Sequence, residues 1–140
     1  MGKRNSRIIL DANWWVSFAI MRFQNKIASV ITNPAFDFFS CDQLESEIKK
    51  ILNEKRIQKY LDSKIKKEFW YYYFETVEYF KIKSSISISR DKKDNYLLAV
   101  SKDVNADFLI TGDKELLVLK GFENTLIMTL TEFLKYINKK

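Results

Sequence analysis

The chain contains no histidine. That absence removes imidazole general bases, serine–histidine–aspartate triads and every histidine-ligated metal site. Catalysis would fall to carboxylates, hydroxyls, lysines or a hard metal ion. Cys41 is the only cysteine, so no internal disulfide can form and a reducing compartment is the simpler expectation. One proline and three glycines leave little material for linkers or low-complexity segments, and no internal repeat stands out. No apolar run approaches the roughly 18 residues of a membrane span, and the first residues lack the apolar region and small-residue cleavage site of a signal peptide. A cytoplasmic protein with no membrane partner is expected. The G-x-G-x-x-G and Walker patterns are missing as well, which argues against a dinucleotide or P-loop site.

What is present points to one α/β domain over residues 1–140, with a basic lead at 1–6 and a basic tail at 138–140. Of the 140 residues 46% are hydrophobic, enough for one core and little more. Lys and Arg number 24 against 18 acids, a formal charge of +6, and such a basic surface favours polyanions such as RNA or DNA.

The chain is organised around residues 90–117. Asp94 and Asn95 stand where a helix begins, with Leu97, Leu98 and Ser101 at helical spacing. Residues 108–111 have the short apolar run of a strand buried on both faces, and Gly112 lets the chain turn before Asp113. The same layout occurs earlier, where the apolar residues 7–10 run into Asp11, Ala12 and Asn13 and then into a helix. Two strands therefore end on an aspartate, in the position where open parallel sheets build their sites.

The remaining elements are read in outline. The first helix continues in some form to about Thr32, before Asn33 and Pro34 stop it. Residues 35–39 read as a strand. Ser40 and Gln43 match a capping box for a helix to about Asn53, on which Glu45 and Glu47 both flank the apolar stripe; spacing does not choose between them. Residues 53–83 read as helical with a break near Ser63. They include six consecutive aromatics, Phe69 to Phe74, which cannot share one helix face. Some must meet another helix, a partner chain or nucleic acid, and core with helix-pair packing is the first expectation, a protein interface the next and base stacking the last. Residues 84–89 suit a short strand or an extended connection, 114–119 a helical turn, 125–128 a last strand, and Thr129 or Thr131 the cap of a closing helix. Strands alternating with helices imply a parallel sheet.

Asp11, Asp94 and Asp113 fall at junctions of apolar segments with turns, and Glu45 or Glu47 joins them from a helix. Carboxylates crowded together raise one another's pKa unless a cation sits among them. Oxygen-only ligands suit Mg²⁺ or Mn²⁺, which would activate water and offset the charge of a phosphate. The plainer alternative is that each acid is a helix cap or a solvated turn residue.

These residues also carry a resemblance. Residues 8–13 (IILDAN), 44–48 (LESEI), 90–95 (RDKKDN) and 106–117 (ADFLITGDKELL) resemble the ordered signatures of PIN-domain ribonucleases, in particular the toxin components of bacterial or archaeal toxin–antitoxin pairs. Residues 125–128 and 131–134 are similar to the closing strand and helix of that branch. The resemblance implies a three-layer α/β/α sandwich with a mostly parallel central sheet and a Mg²⁺- or Mn²⁺-dependent endoribonuclease. It implies RNA as substrate, a cognate antitoxin as partner and a homodimer. By the resemblance Asp11, Glu47, Asp94 and Asp113 hold the metal and carry catalysis, and it selects Glu47 over Glu45. Asn13, Thr111, Asp91 and Asn95 would support them. Two departures stand out. Lys92 and Lys93 replace what is often a proline and an acid, and Asn95 occupies a place where many members carry the catalytic aspartate. The alternative reading is a PIN-like module that binds RNA or protein with a weakened site. A phosphotransfer enzyme using Asp11 as nucleophile fits poorly, since position 13 is not a second aspartate.

Overall fold

Ile8, Ile9 and Leu10 are wholly buried, which a strand achieves only when both faces of its sheet are covered. The structure, a computed structural model, describes residues 4–22, 26–87 and 92–138. Its elements run β1 (Ser6–Leu10), α1 (Ala12–Ile20), α2 (Lys26–Ile31), β2 (Phe36–Ser40), α3 (Asp42–Leu52), α4 (Lys55–Gln58), α5 (Ser63–Thr76) and β3 (Val77–Tyr79). They continue with α6 (Lys92–Asp103), β4 (Phe108–Ile110), α7 (Lys114–Leu117), β5 (Gly121–Phe122), β6 (Thr125–Met128) and α8 (Leu130–Asn138). This is the expected α/β architecture. Among the described residues the strands pair in the order β3-β2-β1-β4-β6-β5, all parallel except the β5–β6 hairpin.

The register explains the three layers. Ile8 pairs with both Phe38 and Phe108, so these side chains, and Phe36 two residues before Phe38, share one face. On that face Trp15 of α1 meets Phe38, and Phe133 of α8 meets Phe36 and Phe108. The opposite face carries Arg7 and Phe39. Arg7 lies over the Phe39 ring and donates to the carbonyl of Val104, one residue past α6. Helices thus lie on both faces, and the chain reverses its direction of growth between β1 and β4. Asp107 fixes that junction at the strands' amino ends, accepting from the Arg7 N–H at 2.8 Å and from the Arg4 guanidinium at 2.9 Å.

Several expectations need correction. Ser40 does not cap α3. It ends β2, its hydroxyl meets the Tyr73 hydroxyl, and Cys41 holds the cap position without a side-chain capping bond. The stretch read as helical to residue 83 ends at Thr76, and Val77–Tyr79 form the edge strand β3 beside β2. Residues 84–87 adopt no strand and 88–89 lie outside the described residues, while Asp103 accepts from the N–H groups of Lys83 and Ser84. Gly121 and Phe122 form the short strand β5 beside β6, between the elements read at 114–119 and 125–128. Thr129 rather than Thr131 caps the last helix, in a reciprocal pair with Glu132.

The aromatic run divides as helical geometry requires. Phe69 and Tyr73, four apart, are buried against Trp15, whereas Tyr71 and Phe74 are 69% and 50% exposed. Trp15 also edges onto Phe18, and its indole N–H has no hydrogen-bond partner among the described residues.

Trp15→Ala should destabilise the fold by about 3–5 kcal/mol through loss of contact and a residual cavity. Trp15→Phe should cost less than half of that, because it also deletes an unsatisfied buried donor. Urea unfolding of both variants measures the difference, and equal losses would show that the indole N–H is satisfied in solution.

Candidate active site

The reversal between β1 and β4 leaves a crevice at the carboxyl ends of the strands, where neighbouring connections leave in opposite directions. Asp11 enters it directly from β1 and sits at the start of α1, yet its carboxylate makes no capping hydrogen bond. Its Oδ2 instead accepts the Thr111 hydroxyl at 2.6 Å. Thr111, fully buried just past β4, also accepts the Asp113 N–H at 3.1 Å, so one hydroxyl ties both acidic turns together. Asp113 caps α7, with Oδ1 accepting the Glu115 N–H. Asp113 therefore caps its helix through its side chain, whereas Asp11 holds the cap position of α1 with its carboxylate bonded to Thr111.

Two helices complete the crevice. Asp94 lies in the first turn of α6 and is only 4% exposed. Glu47 projects from α3, where its Oε2 accepts the Tyr96 hydroxyl at 3.2 Å. Asp11, Asn13, Glu47, Asp94 and Asp113 all line one cavity of about 410 Å³. Trp14 and Ser17 of α1, Leu97 of α6 and Gly112 form the rest of its wall among the described residues. Glu45 stands elsewhere, receiving the Tyr79 hydroxyl and pairing with Lys49 at 2.8 Å. Asn95 is half-buried and is not part of the wall. Asp91 and the side chains of Lys92 and Lys93 lie outside the described residues.

Tyr96, Trp14 and Ser17 were not singled out from the sequence. Trp14 and Ser17 follow Asp11 at positions three and six, on one flank of α1, and Tyr96 follows Asp94 by two. Spacing from the acids was the available signal.

Burial dominates the electrostatics. It raises the Asp11 pKa, the negative charge of Asp113 adds to the rise, and the Thr111 hydroxyl with the amides of Ala12 and Asn13 pulls the other way. Burial likewise raises the Tyr96 phenol, reinforced by the charges of Glu47 and Asp11, so it remains a hydrogen-bond donor at neutral pH.

Among the described residues no three acids, cysteines or histidines converge tightly enough to form a ready-made metal cage. The donor set still fits a hard cation that keeps several waters. Among the described residues every charged group on the cavity wall is a carboxylate, and Mg²⁺ ordinarily takes one or two of these together with water and a substrate phosphate.

The family model described as PIN domain matches residues 7–115, a span running from β1 through Asp113. No curated protein and no solved structure matches the chain.

A carboxyl with a native pKa above its unfolded value binds its proton more tightly when folded. Its contribution to stability is full below the unfolded pKa and is lost as pH rises through the native one. Asp11→Asn keeps an acceptor for Thr111 and cannot ionise. In metal-free buffer the variant should therefore gain stability relative to the unsubstituted protein as pH rises from 4 through neutrality. Urea midpoints at several pH values test this, and a difference that narrows with rising pH would contradict it.

Proposed function

Since the chain belongs to the PIN-domain family, whose members are in general nucleases, we propose that it is a divalent-metal-dependent endoribonuclease. We further assign it the role of toxin in a toxin–antitoxin pair. The observation that supports the nuclease most strongly is the gathering of Asp11, Glu47, Asp94 and Asp113 around one cavity at the β1–β4 reversal. The toxin role rests on the sequence resemblance to that branch.

Asp11, Glu47, Asp94 and Asp113 would hold Mg²⁺ or Mn²⁺. When bound, the cation supplies neutralisation of the phosphodiester charge and lowers the pKa of nearby water. The chain's own residues set the geometry around it. Thr111 fixes the rotation of the Asp11 carboxylate and, through the Asp113 N–H, the turn that carries the fourth acid. The Tyr96 hydroxyl orients Glu47 across from them. Without histidine there is no imidazole pair to activate a ribose 2′-hydroxyl. In this reading water is the nucleophile and the ribose 2′-hydroxyl is not used, so the products are 5′-phosphate and 3′-hydroxyl ends. The excess of basic residues draws the polyanion to the surface, and single-stranded RNA, with bases free to splay, is the substrate form whose sequence such a site could read.

Partner contact is assigned to α5. Tyr71 and Phe74 are largely exposed there, and Phe74 stacks on the exposed Tyr79 with ring centroids 6.1 Å apart. Exposed aromatics of this kind are what protein interfaces cover.

Purified protein should cut a mixed single-stranded RNA with Mn²⁺, lose that activity in EDTA, and lose at least about a hundredfold in Asp11→Asn and in Asp113→Asn. Fragments ending in 2′,3′-cyclic phosphate would eliminate the water mechanism. For the interface, sedimentation should find the protein dimeric at micromolar concentration and Tyr71→Ser/Phe74→Ser monomeric with its circular dichroism unchanged. A monomer before substitution would remove the homodimer.

A further inference from the structure

A second cavity, of about 480 Å³, lies beside Glu47 and Tyr96. Glu47 lines both cavities, and Tyr96, bonded to it, lines the second. Its floor is one stripe of α3. Gln43, Ser46, Glu47 and Lys50 stand at positions i, i+3, i+4 and i+7, with Asp42 beside Gln43. From Gln43 to Lys50 the stripe extends about 10 Å along the helix. Gln43, Ser46 and Lys50 are exposed, so their polar ends are available to a ligand, whereas the next turn inward buries Leu44, Ile48 and Ile51 in the core.

We propose that this second cavity is a nucleotide subsite, which holds a splayed base and its ribose next to the bond that the acidic crevice cuts in single-stranded RNA. The proposal rests on the nuclease reading above for the position of that bond. The chemistry of the stripe favours this occupant. Gln43 offers both a donor pair and an acceptor, Ser46 a hydroxyl of either sense, and Asp42 an acceptor, which together match the edges of an unpaired base. Tyr96 contributes an aromatic ring to the wall, the usual platform for a base. Among the described residues Lys50 is the one cation on this wall and Asp42 and Glu47 repel phosphate, so a backbone phosphate belongs at the Lys50 end. The continuity at Glu47 places the base beside the crevice rather than on an unrelated surface.

The test is anisotropy titration of a labelled single-stranded RNA hexamer in EDTA across a salt series, with Gln43→Ala/Ser46→Ala and Lys50→Ala beside the unsubstituted protein. The double substitution should weaken binding about tenfold and leave the slope of log K against log salt alone, since neither residue is charged. Lys50→Ala should lower that slope by about one. A lesion in folding would give neither pattern, and melting temperatures check for one. With Mn²⁺, the ratio of kcat/KM for the hexamer to that for bis(p-nitrophenyl) phosphate, which has no base to place, should fall about tenfold in the double variant. If the unsubstituted protein binds RNA and the variants weaken it as stated but nothing is cut, the subsite stands and the nuclease reading fails. Cleavage by all three proteins with equal affinities and slopes would overturn the subsite alone, and no RNA binding by the unsubstituted protein would overturn both.

Discussion

The hydrogen bond from Thr111 to Asp11 is the constraint on which the rest of the site depends. Asp11 follows a strand with three wholly buried residues and is itself only 9% exposed, so its charge has lost most of its water. A carboxylate in that position needs compensation, and the first compensation available is a hydroxyl at 2.6 Å. That hydroxyl exists only because β4 lies beside β1 in parallel register, with Leu10 opposite Ile110. The pairing puts the residues after each strand in contact. Change the register by one and the threonine would face the other side of the sheet.

From this contact the site grows outward by topology. The crossover that returns from β3 to β4 carries α6, so its first two turns deliver Asp94 and Tyr96 to the same end of the sheet. The earlier helix α3 approaches from the β2 side and contributes Glu47. The aromatic packing of α1 on α5 and the sheet anchors that half of the crevice, because Trp15 lies one residue past Trp14 and holds α1 against Phe38. A network of hydroxyls reinforces it at the edge. Ser40, Tyr73, Tyr79 and Glu45 connect β2, α5, β3 and α3, and burial pushes the Tyr73 phenol up to about 12, keeping it a donor. The acid that spacing alone could not separate from Glu47 thus has a structural occupation of its own.

What the sequence made legible follows from how local each signal was. Continuous apolar runs ending on Asp11 and Asp113 marked buried parallel strands, and the structure has β1 and β4 there. β3 was hidden because Val77 and Tyr79 continue an aromatic helix without a glycine or proline between them, and only pairing with β2 makes them extended. Ser40 looked like a cap for the same reason. Its motif was present, but the Tyr73 hydroxyl, 33 residues away, competes for it. Tyr96 escaped notice because its role depends on Glu47, 49 residues away, and no periodicity relates the two. Local chemistry can nominate acids; partners across the crevice emerge only when the sheet order is known.

The division of charge between surface and crevice carries a further consequence for the proposed reaction. With a formal charge of +6, the chain as a whole attracts a polyanion at distances comparable to the screening length, about 8–10 Å in physiological salt. At contact the sign reverses, since a phosphate entering the cavity meets Asp11, Glu47, Asp94 and Asp113. Association and reaction are therefore physically separable. In the proposed reaction RNA would be gathered by the outer surface without a cation, and its scissile phosphate would settle among the four carboxylates once their charge is offset. The same arrangement makes the fold tolerate its own site. Thr111 and Tyr96 hold the Asp11 and Glu47 carboxylates by hydroxyl hydrogen bonds, and so set the orientations that the proposed cation would meet.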